Sequence, residues 1–188
     1  EFSHEVTGFT EPVPSFEIDH LGNIWAAHSN RGLFRLRLNS HFDSVQILQY
    51  YGKEKGLPTD RNLSVARVEN RIIFATGHSF FTYDDLNDTI VPYDFLNEQT
   101  GIFSRSRIIT PVGENNYGLI ADNMTGLFHI VDNNVRKLFT WDFSRYGAYL
   151  ASGSHLVIPL DQERYLFCLD NGFAVLNKKM IRQNEMPA

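Results

Sequence analysis

Seven side chains carry the types suited to binding chemistry: Arg31, Arg61, His78, Arg105, Asp122, Trp141 and Tyr146. Trp141 and Tyr146, with Tyr149 close by in the chain, offer flat apolar rings of the kind that stack on a sugar ring. The arginines, His78 and Asp122 supply donors and acceptors for hydroxyl groups. These residues fall in turns or in the three longest connections, 52–62, 94–106 and 141–154. Long connections are where binding residues concentrate. A structural reading competes at each position: the aromatics close a core between sheets, and the charges are solvated.

Other chemistries fail on spacing. His28, His78 and Asp122 have donor types that suit a metal, but three separate turns would have to converge on it. Asp84-Asp85 and Asn87-Asp88 have the composition of a calcium loop without its glycine and closing glutamate, and read as a turn between strands. The sequence contains no G-x-S-x-G motif and no Walker-type loop. Ser3-His4, Ser40-His41 and Ser154-His155 are neighbours in sequence, which is not how a triad assembles. Asn62, Asn87 and Asn123 each open an Asn-x-Ser/Thr match, a pattern frequent by chance. The single cysteine, Cys168, excludes an internal disulfide and lies in an apolar run as a small buried hydrophobe. No catalytic residues, metal or cofactor are expected.

The elements that position these residues repeat. Four segments share an apolar strand, a short polar turn and an apolar opening to the next strand. Anchored on Gly32, Ser79, Gly126 and Gly172, they recur at intervals of 47, 47 and 46 residues. Within a repeat, short alternating runs separated by polar turns predict four strands. In the first they are 15–19, 24–28, 33–38 and 45–51. The second reads 63–68, 71–76, 80–83 and 90–93; the third reads 107–112, 116–121, 127–131 and 135–139. The fourth shows 156–160, 164–169 and 173–176, with no clear fourth strand. A short turn of helix is expected within 97–107.

Four strands per unit at this period predict an all-β fold of β-propeller blades, each a four-stranded antiparallel sheet, making part of a propeller. The expected divisions are 1–13 (end of a preceding blade or linker), 14–62, 63–106, 107–150, and 151–188 as an incomplete blade and tail. Trp25 is expected between blades. A partial array leaves open faces and strand edges, so self-association is expected.

Composition agrees with a globular chain: 43% hydrophobic, 21% charged and 13% aromatic in 188 residues. The net charge of −5 and the interleaving of Lys53, Lys55, Arg61, Arg67 and Arg71 with acids argue against nucleic-acid contact. No apolar run reaches the length of a membrane span, and no signal-peptide pattern opens the sequence.

Asp19-His20-Leu21-Gly22-Asn23-Ile24-Trp25, followed by Arg31-Gly32-Leu33-Phe34-Arg35, resembles the two-component regulator propeller repeat, whose consensus runs D-x-x-G-N-I-W and then G-L-x-R. Gly56-Leu57-Pro58-Thr59-Asp60 resembles the segment joining successive repeats of that family. Phe74-Ala75-Thr76 and Phe81-Thr82-Tyr83-Asp84 match more loosely. The third repeat keeps Gly126-Leu127-Phe128 without the tryptophan, and the fourth keeps Asn171-Gly172-Phe173. The resemblance implies the extracytoplasmic, periplasmic sensor portion of a membrane-anchored bacterial regulator. It implies an oligosaccharide ligand, the remainder of the same propeller and a downstream output domain as partners, and a role in signal transduction and transcription regulation without catalysis of its own. The alternatives are an interaction or dimerisation scaffold, and a propeller lyase.

Overall fold

Four runs of alternating apolar residues fold into antiparallel meanders in the computed structural model, which describes residues 3–151 and 157–180. The first sheet is β1 (Ser15–Ile18), β2 (Ile24–Ala27), β3 (Leu33–Leu38) and β4 (Val45–Tyr51). The second is β5 (Ser64–Val68), β6 (Arg71–Ala75), β7 (Phe80–Asp84) and β8 (Thr89–Pro92). The third is β9 (Ile109–Pro111), β10 (Asn116–Ala121), β11 (Met124–Val131) and β12 (Asn134–Asp142). The fourth, among the described residues, has three strands: β13 (Ile158–Pro159), β14 (Arg164–Leu169) and β15 (Gly172–Asn177). The fold is all-β and propeller-like, as the repeat implies, with each sheet a blade-like meander.

The differences from expectation have local causes. β12 runs on to Asp142, so Trp141 stands in a strand and not in a loop. A bulge between Leu127 and Phe128 lets the β11–β12 pairing continue through Thr125–Trp141 and Met124–Asp142. The 94–106 connection holds a helix, α1 (Asp94–Thr100), followed by a 3₁₀ turn at Gly101–Arg105. The first residue of the expected 156–160 strand lies outside the described residues; β13 pairs only Ile158 with Leu166 and Pro159 with Tyr165.

The chain divides into two compact units, Glu1–Asp94 and Phe95–Ala188. In the first unit, Trp25, Ala27, Leu33 and Tyr51 from one sheet share a core with Val65, Phe74, Phe81 and Ile90 from the next. Trp25 is the centre, with ring centroids 5.1 Å from Tyr51, 5.1 Å from Phe74 and 4.8 Å from Tyr83. The Gly56-Leu57 pair seals this joint. Leu57 is buried in the core, and Gly56 adopts φ +94 where an added Cβ would sit 2.1 Å from the Ile90 carbonyl oxygen. Only glycine fits there. On the other face of the first sheet, Phe9 and Val13 pack against Ala26, Phe34 and Leu36, and Thr7 bridges Ser44.

In the second unit, Ile120, Leu127 and Phe139 share a core with Tyr165, Phe167 and Leu176. The sheets approach closely at Gly118, where an added Cβ would lie 2.7 Å from the Val157 Cβ.

Trp25→Ala is expected to destabilise the first unit by about 3–5 kcal/mol. Denaturant titration followed by circular dichroism measures this. A loss under 1 kcal/mol would show that the indole does not hold the two sheets together.

Candidate functional site

The family-like motif is a turn built around one carboxylate. Asp19 Oδ1 accepts the backbone N–H groups of Leu21 and Asn23, both at 2.9 Å. Its Oδ2 accepts the Asn23 side-chain amide at 2.8 Å and the Trp25 Nε1–H at 3.0 Å. Asn23 is itself buried, and its Oδ1 accepts Arg37 Nε at 3.0 Å. Burial raises the Asp19 pKa, but the bonds from Asn23, Trp25 and Leu21 outweigh it and hold the carboxyl below its ordinary value. The motif residues are therefore occupied in shaping the fold.

A second polar cluster joins the first two sheets. Asp88 Oδ1 accepts the Tyr51 hydroxyl at 2.7 Å and the Tyr83 hydroxyl at 2.8 Å; Oδ2 accepts Lys55 Nζ at 2.7 Å. Arg35 donates to the Tyr83 oxygen at 2.9 Å and lies over the Tyr83 and Trp25 rings, 4.9 and 5.4 Å from their centroids. The hydrogen bond from Lys55, then those from Tyr51 and Tyr83, lower the Asp88 pKa from 3.8 to about 2. Burial, then bonding to Tyr51 and Asp88, raises that of Tyr83. No sequence pattern marks this cluster, because its members come from two separate sheets and meet only when those sheets stack. The Asp84–Asp88 stretch is confirmed as a turn: Asp84 Oδ1 accepts the Leu86 N–H at 3.0 Å and Oδ2 the Asn87 amide at 2.7 Å.

The sequence-predicted binding residues fall in the two units. In the first, the β2–β3 turn and the β4–β5 connection are tied together: Gly32 N–H donates to Asp60 O at 2.8 Å, and Asn62 N–H to Ser29 O at 3.0 Å. Arg31 and Arg61 ride on these paired loops. Ser64 pairs with Ala75, so the β6–β7 turn carrying His78 opens at the same end. His78 and Arg61 are exposed. Arg31 is ion-paired with Glu11, whose carboxylate also stands 3.4 Å from His28 Nε2.

In the second unit the same loop pairing recurs through one side chain. Asn123 Nδ2 donates to Ala148 O at 2.8 Å, and Asn123 Oδ1 accepts the Leu150 N–H at 2.7 Å. This pins the loop after β12 to the β10–β11 turn that holds Asp122, which is exposed at φ +54. Asp142 caps the loop's 3₁₀ turn (Phe143–Tyr146) by accepting the Ser144 N–H at 3.0 Å. Phe143 anchors it, buried and 5.2 Å from Phe167. The turn thereby sets Tyr146 parallel to Trp141, with centroids 5.0 Å apart and planes inclined by 7°. Trp141 is half-buried against the core of this unit, while Tyr146 is 64% exposed. Met124 pairs with Asp142, so Asp122 and this ring pair share one end of the sheet. Arg105 stands apart: its 3₁₀ turn packs Phe103 on Phe128, on the opposite face of the sheet from Trp141. Among the described residues, no three His, Cys, Asp or Glu side chains gather as a metal cluster.

No family model matches the chain, and no curated protein matches it. Solved structures do. One is the extracellular domain of the putative one component system BT4673 from B. thetaiotaomicron, with a TM-score of 0.57 and 11% identity over 96% of this chain. A second structure, described as the extracellular domain of the putative hybrid two component system BT4673 from the same organism, gives a TM-score of 0.56 and 12% identity over 96%. The likeness is one of fold. The chain spans about a quarter of the length of these structures, 24% and 25%. No helix among the described residues is long and apolar enough to cross a membrane.

Asp88 supplies a pH test of the cluster between the sheets. Its folded-state pKa of about 2 lies below its ordinary 3.8. The stability it contributes is therefore present above about pH 4 and lost as pH falls toward 2. Asp88→Asn is expected to flatten the loss of denaturation midpoint across that window. An unchanged acid profile would show that Asp88 is not held by Lys55 and the two tyrosines.

Proposed function

We propose that this chain is part of an extracytoplasmic sensor propeller of a bacterial signal-transduction regulator, and that it binds an oligosaccharide without turning it over. The observation that carries the sensing role is the fold shared over 96% of the chain with extracellular domains of BT4673, described as a one-component or hybrid two-component system. The motif resemblance in the first sheet supports the same placement. The ligand class rests on the second unit's loop end. There Trp141 backs Tyr146 in a rigid stack, Tyr146 exposes its ring, and Asp122, Asp142 and Arg145 supply polar atoms around it. An aromatic ring fixed this way loses little freedom when a sugar face stacks on it. In the first unit Arg61 and His78 offer hydrogen bonds at the corresponding loop end, and Arg31 does so on release from Glu11. Ligand binding would bias the packing of sheets, and that bias would pass to an output domain.

A glycan array followed by thermal-shift titration tests this on the purified protein. A ligand at about 100-fold its Kd should stabilise by about 2.7 kcal/mol, a rise of several degrees in melting temperature. Tyr146→Ala should abolish the rise at the same ligand concentration with little effect on the melting of the unliganded protein, because the ring is exposed. No stabilising glycan in the array, or a response unchanged by Tyr146→Ala, would overturn the ligand reading.

A further inference from the structure

The loop end of the first unit already holds a carboxylate, and the way it is held shows what the place accepts. The β2–β3 turn there is stiff. His28 N–H donates to Gly32 O at 3.0 Å, Gly32 N–H to Asp60 O at 2.8 Å, and Asn62 N–H to Ser29 O at 3.0 Å. Gly32 takes φ +74, and an added Cβ would lie 2.6 Å from the Tyr51 carbonyl oxygen, so the turn requires glycine. This turn sets two donors. His28 is buried, with its ring edge-on to Phe34 at a centroid distance of 6.3 Å. Its Nδ1 accepts the Asn30 N–H at 3.2 Å, so the ring proton sits on Nε2. The Arg31 guanidinium lies over the same Phe34 ring, 5.8 Å from its centroid.

Glu11, from the segment that enters the first sheet, is the present occupant, and it fits incompletely. Its Oε1 pairs with Arg31, but its Oε2 stays 3.4 Å from His28 Nε2, beyond the ordinary N–H···O range. The backbone of Glu11 is fixed on both sides, because Phe9 and Val13 are packed into the core behind the sheet. A carboxylate tethered in this way meets the arginine and falls short of the histidine; a free one can meet both. The ion pair is also open to solvent, with Arg31 55% and Glu11 31% exposed, so its loss costs the fold little. Further donors stand at the same end: Arg61 and His78 are exposed there. The nearby acid Asp60 has its Oδ1 engaged by the Lys53 N–H at 3.0 Å.

We propose that the oligosaccharide carries a uronic acid, whose carboxylate displaces Glu11 and binds between the Arg31 guanidinium and His28 Nε2. The proposal rests on the oligosaccharide reading above and names its chemical class. Exchange of one carboxylate for another leaves Arg31 paired and returns Glu11 to water, so no charge is stranded. A neutral sugar has no group that replaces the Glu11 pair, and the occupied site therefore selects against it. Displacement also removes the side-chain link between the segment entering the first sheet and the β2–β3 turn.

Isothermal titration of the purified protein with uronic acid oligosaccharides, each matched by its carboxyl-reduced neutral form, tests it. The wild-type protein should bind the acidic member at least about tenfold more tightly, as a charge-assisted contact to arginine implies. The ratio of acidic to neutral affinity should rise about two- to fivefold in Glu11→Gln, which removes the competing carboxylate. It should fall at least about tenfold in Arg31→Gln. Circular dichroism should show both variants folded, since Arg31 is exposed and Glu11 half-buried. Should Arg31→Gln unfold the chain, Arg31→Lys reads the same contact, because it keeps the charge and loses the planar fork. Equal affinity for the acidic and neutral forms, or a ratio that Glu11→Gln leaves unchanged or lowers, would overturn the proposal while a neutral oligosaccharide ligand still stands. Binding of neither form overturns it as well, and the ligand reading falls with it only if no other glycan stabilises the protein.

Discussion

The buried indole of Trp25 imposes a condition that the first two sheets are arranged to meet. A buried ring N–H must find an acceptor, or its desolvation takes back about 1–3 kcal/mol of what the ring's packing returns. Asp19 provides that acceptor from the turn before β2, and the same carboxylate holds the turn's backbone and orients Asn23. Asn23 in turn receives Arg37 from β3. Turn shape, strand pairing and the depth of the indole are thus fixed together. The core across the joint follows from where the ring lies: Phe74 and Tyr83 of the second sheet close on one indole, and Arg35 covers it from its own sheet. The cluster on Asp88 then ties the outer strands of the two sheets, because Tyr51 and Lys55 reach it from one side and Tyr83 from its own hairpin.

The second unit meets the same packing demand without a tryptophan in that role. Gly118 lets Val157 press onto the sheet, and Phe143 stacks beside Phe167. With no buried indole there is no N–H to satisfy, so the Asp-x-x-Gly-Asn turn has no work to do and its residues are free to change. Spacing persists because it is set by strand and turn lengths. The motif fades because it answers one side chain. This accounts for a repeat that is regular in period while its signature is confined to the first unit.

Strands were legible where alternation and turn residues coincide, and β3, β4, β10 and β14 have the expected bounds. Trp25 was legible as an inter-sheet residue because a large aromatic on an apolar strand buries most between stacked sheets. Trp141 was misread because the run from Thr140 to Tyr146 lacks clean alternation, and a bulge at Leu138 in β12 extends the pairing beyond what the pattern suggests. The Asp88 cluster was invisible for a different reason: its members come from β4, the following 3₁₀ turn and the β7–β8 hairpin, and no local period links them. For the candidate site, residue types and their loop positions could be read. Their existing partners could not. Arg31 is held by Glu11 from a segment with no pattern of its own, and the Trp141–Tyr146 stack depends on Phe143 being the buried member of its turn.

Packing and the proposed binding use different surfaces of these sheets. Side chains on the two faces of a strand point toward neighbouring sheets, whereas turns and connections project from the strand ends. Apolar residues on a strand face pack against a neighbouring sheet, as Trp25 and Phe74 do in the first unit and Leu127 and Phe167 in the second. Asn123 and the Gly32–Asp60 and Asn62–Ser29 bonds act at the loop end, joining the turn inside each sheet to the connection leading to the next. A shift between adjacent sheets must therefore move one loop against its bonded partner, and an occupant bridging both loops resists that shift. The coupling needs no long chain of contacts: the Asn123 amide spans the turn and the connection that carries Tyr146. On the proposed function, the loop ends are where the ligand would read, or set, the spacing of the sheets.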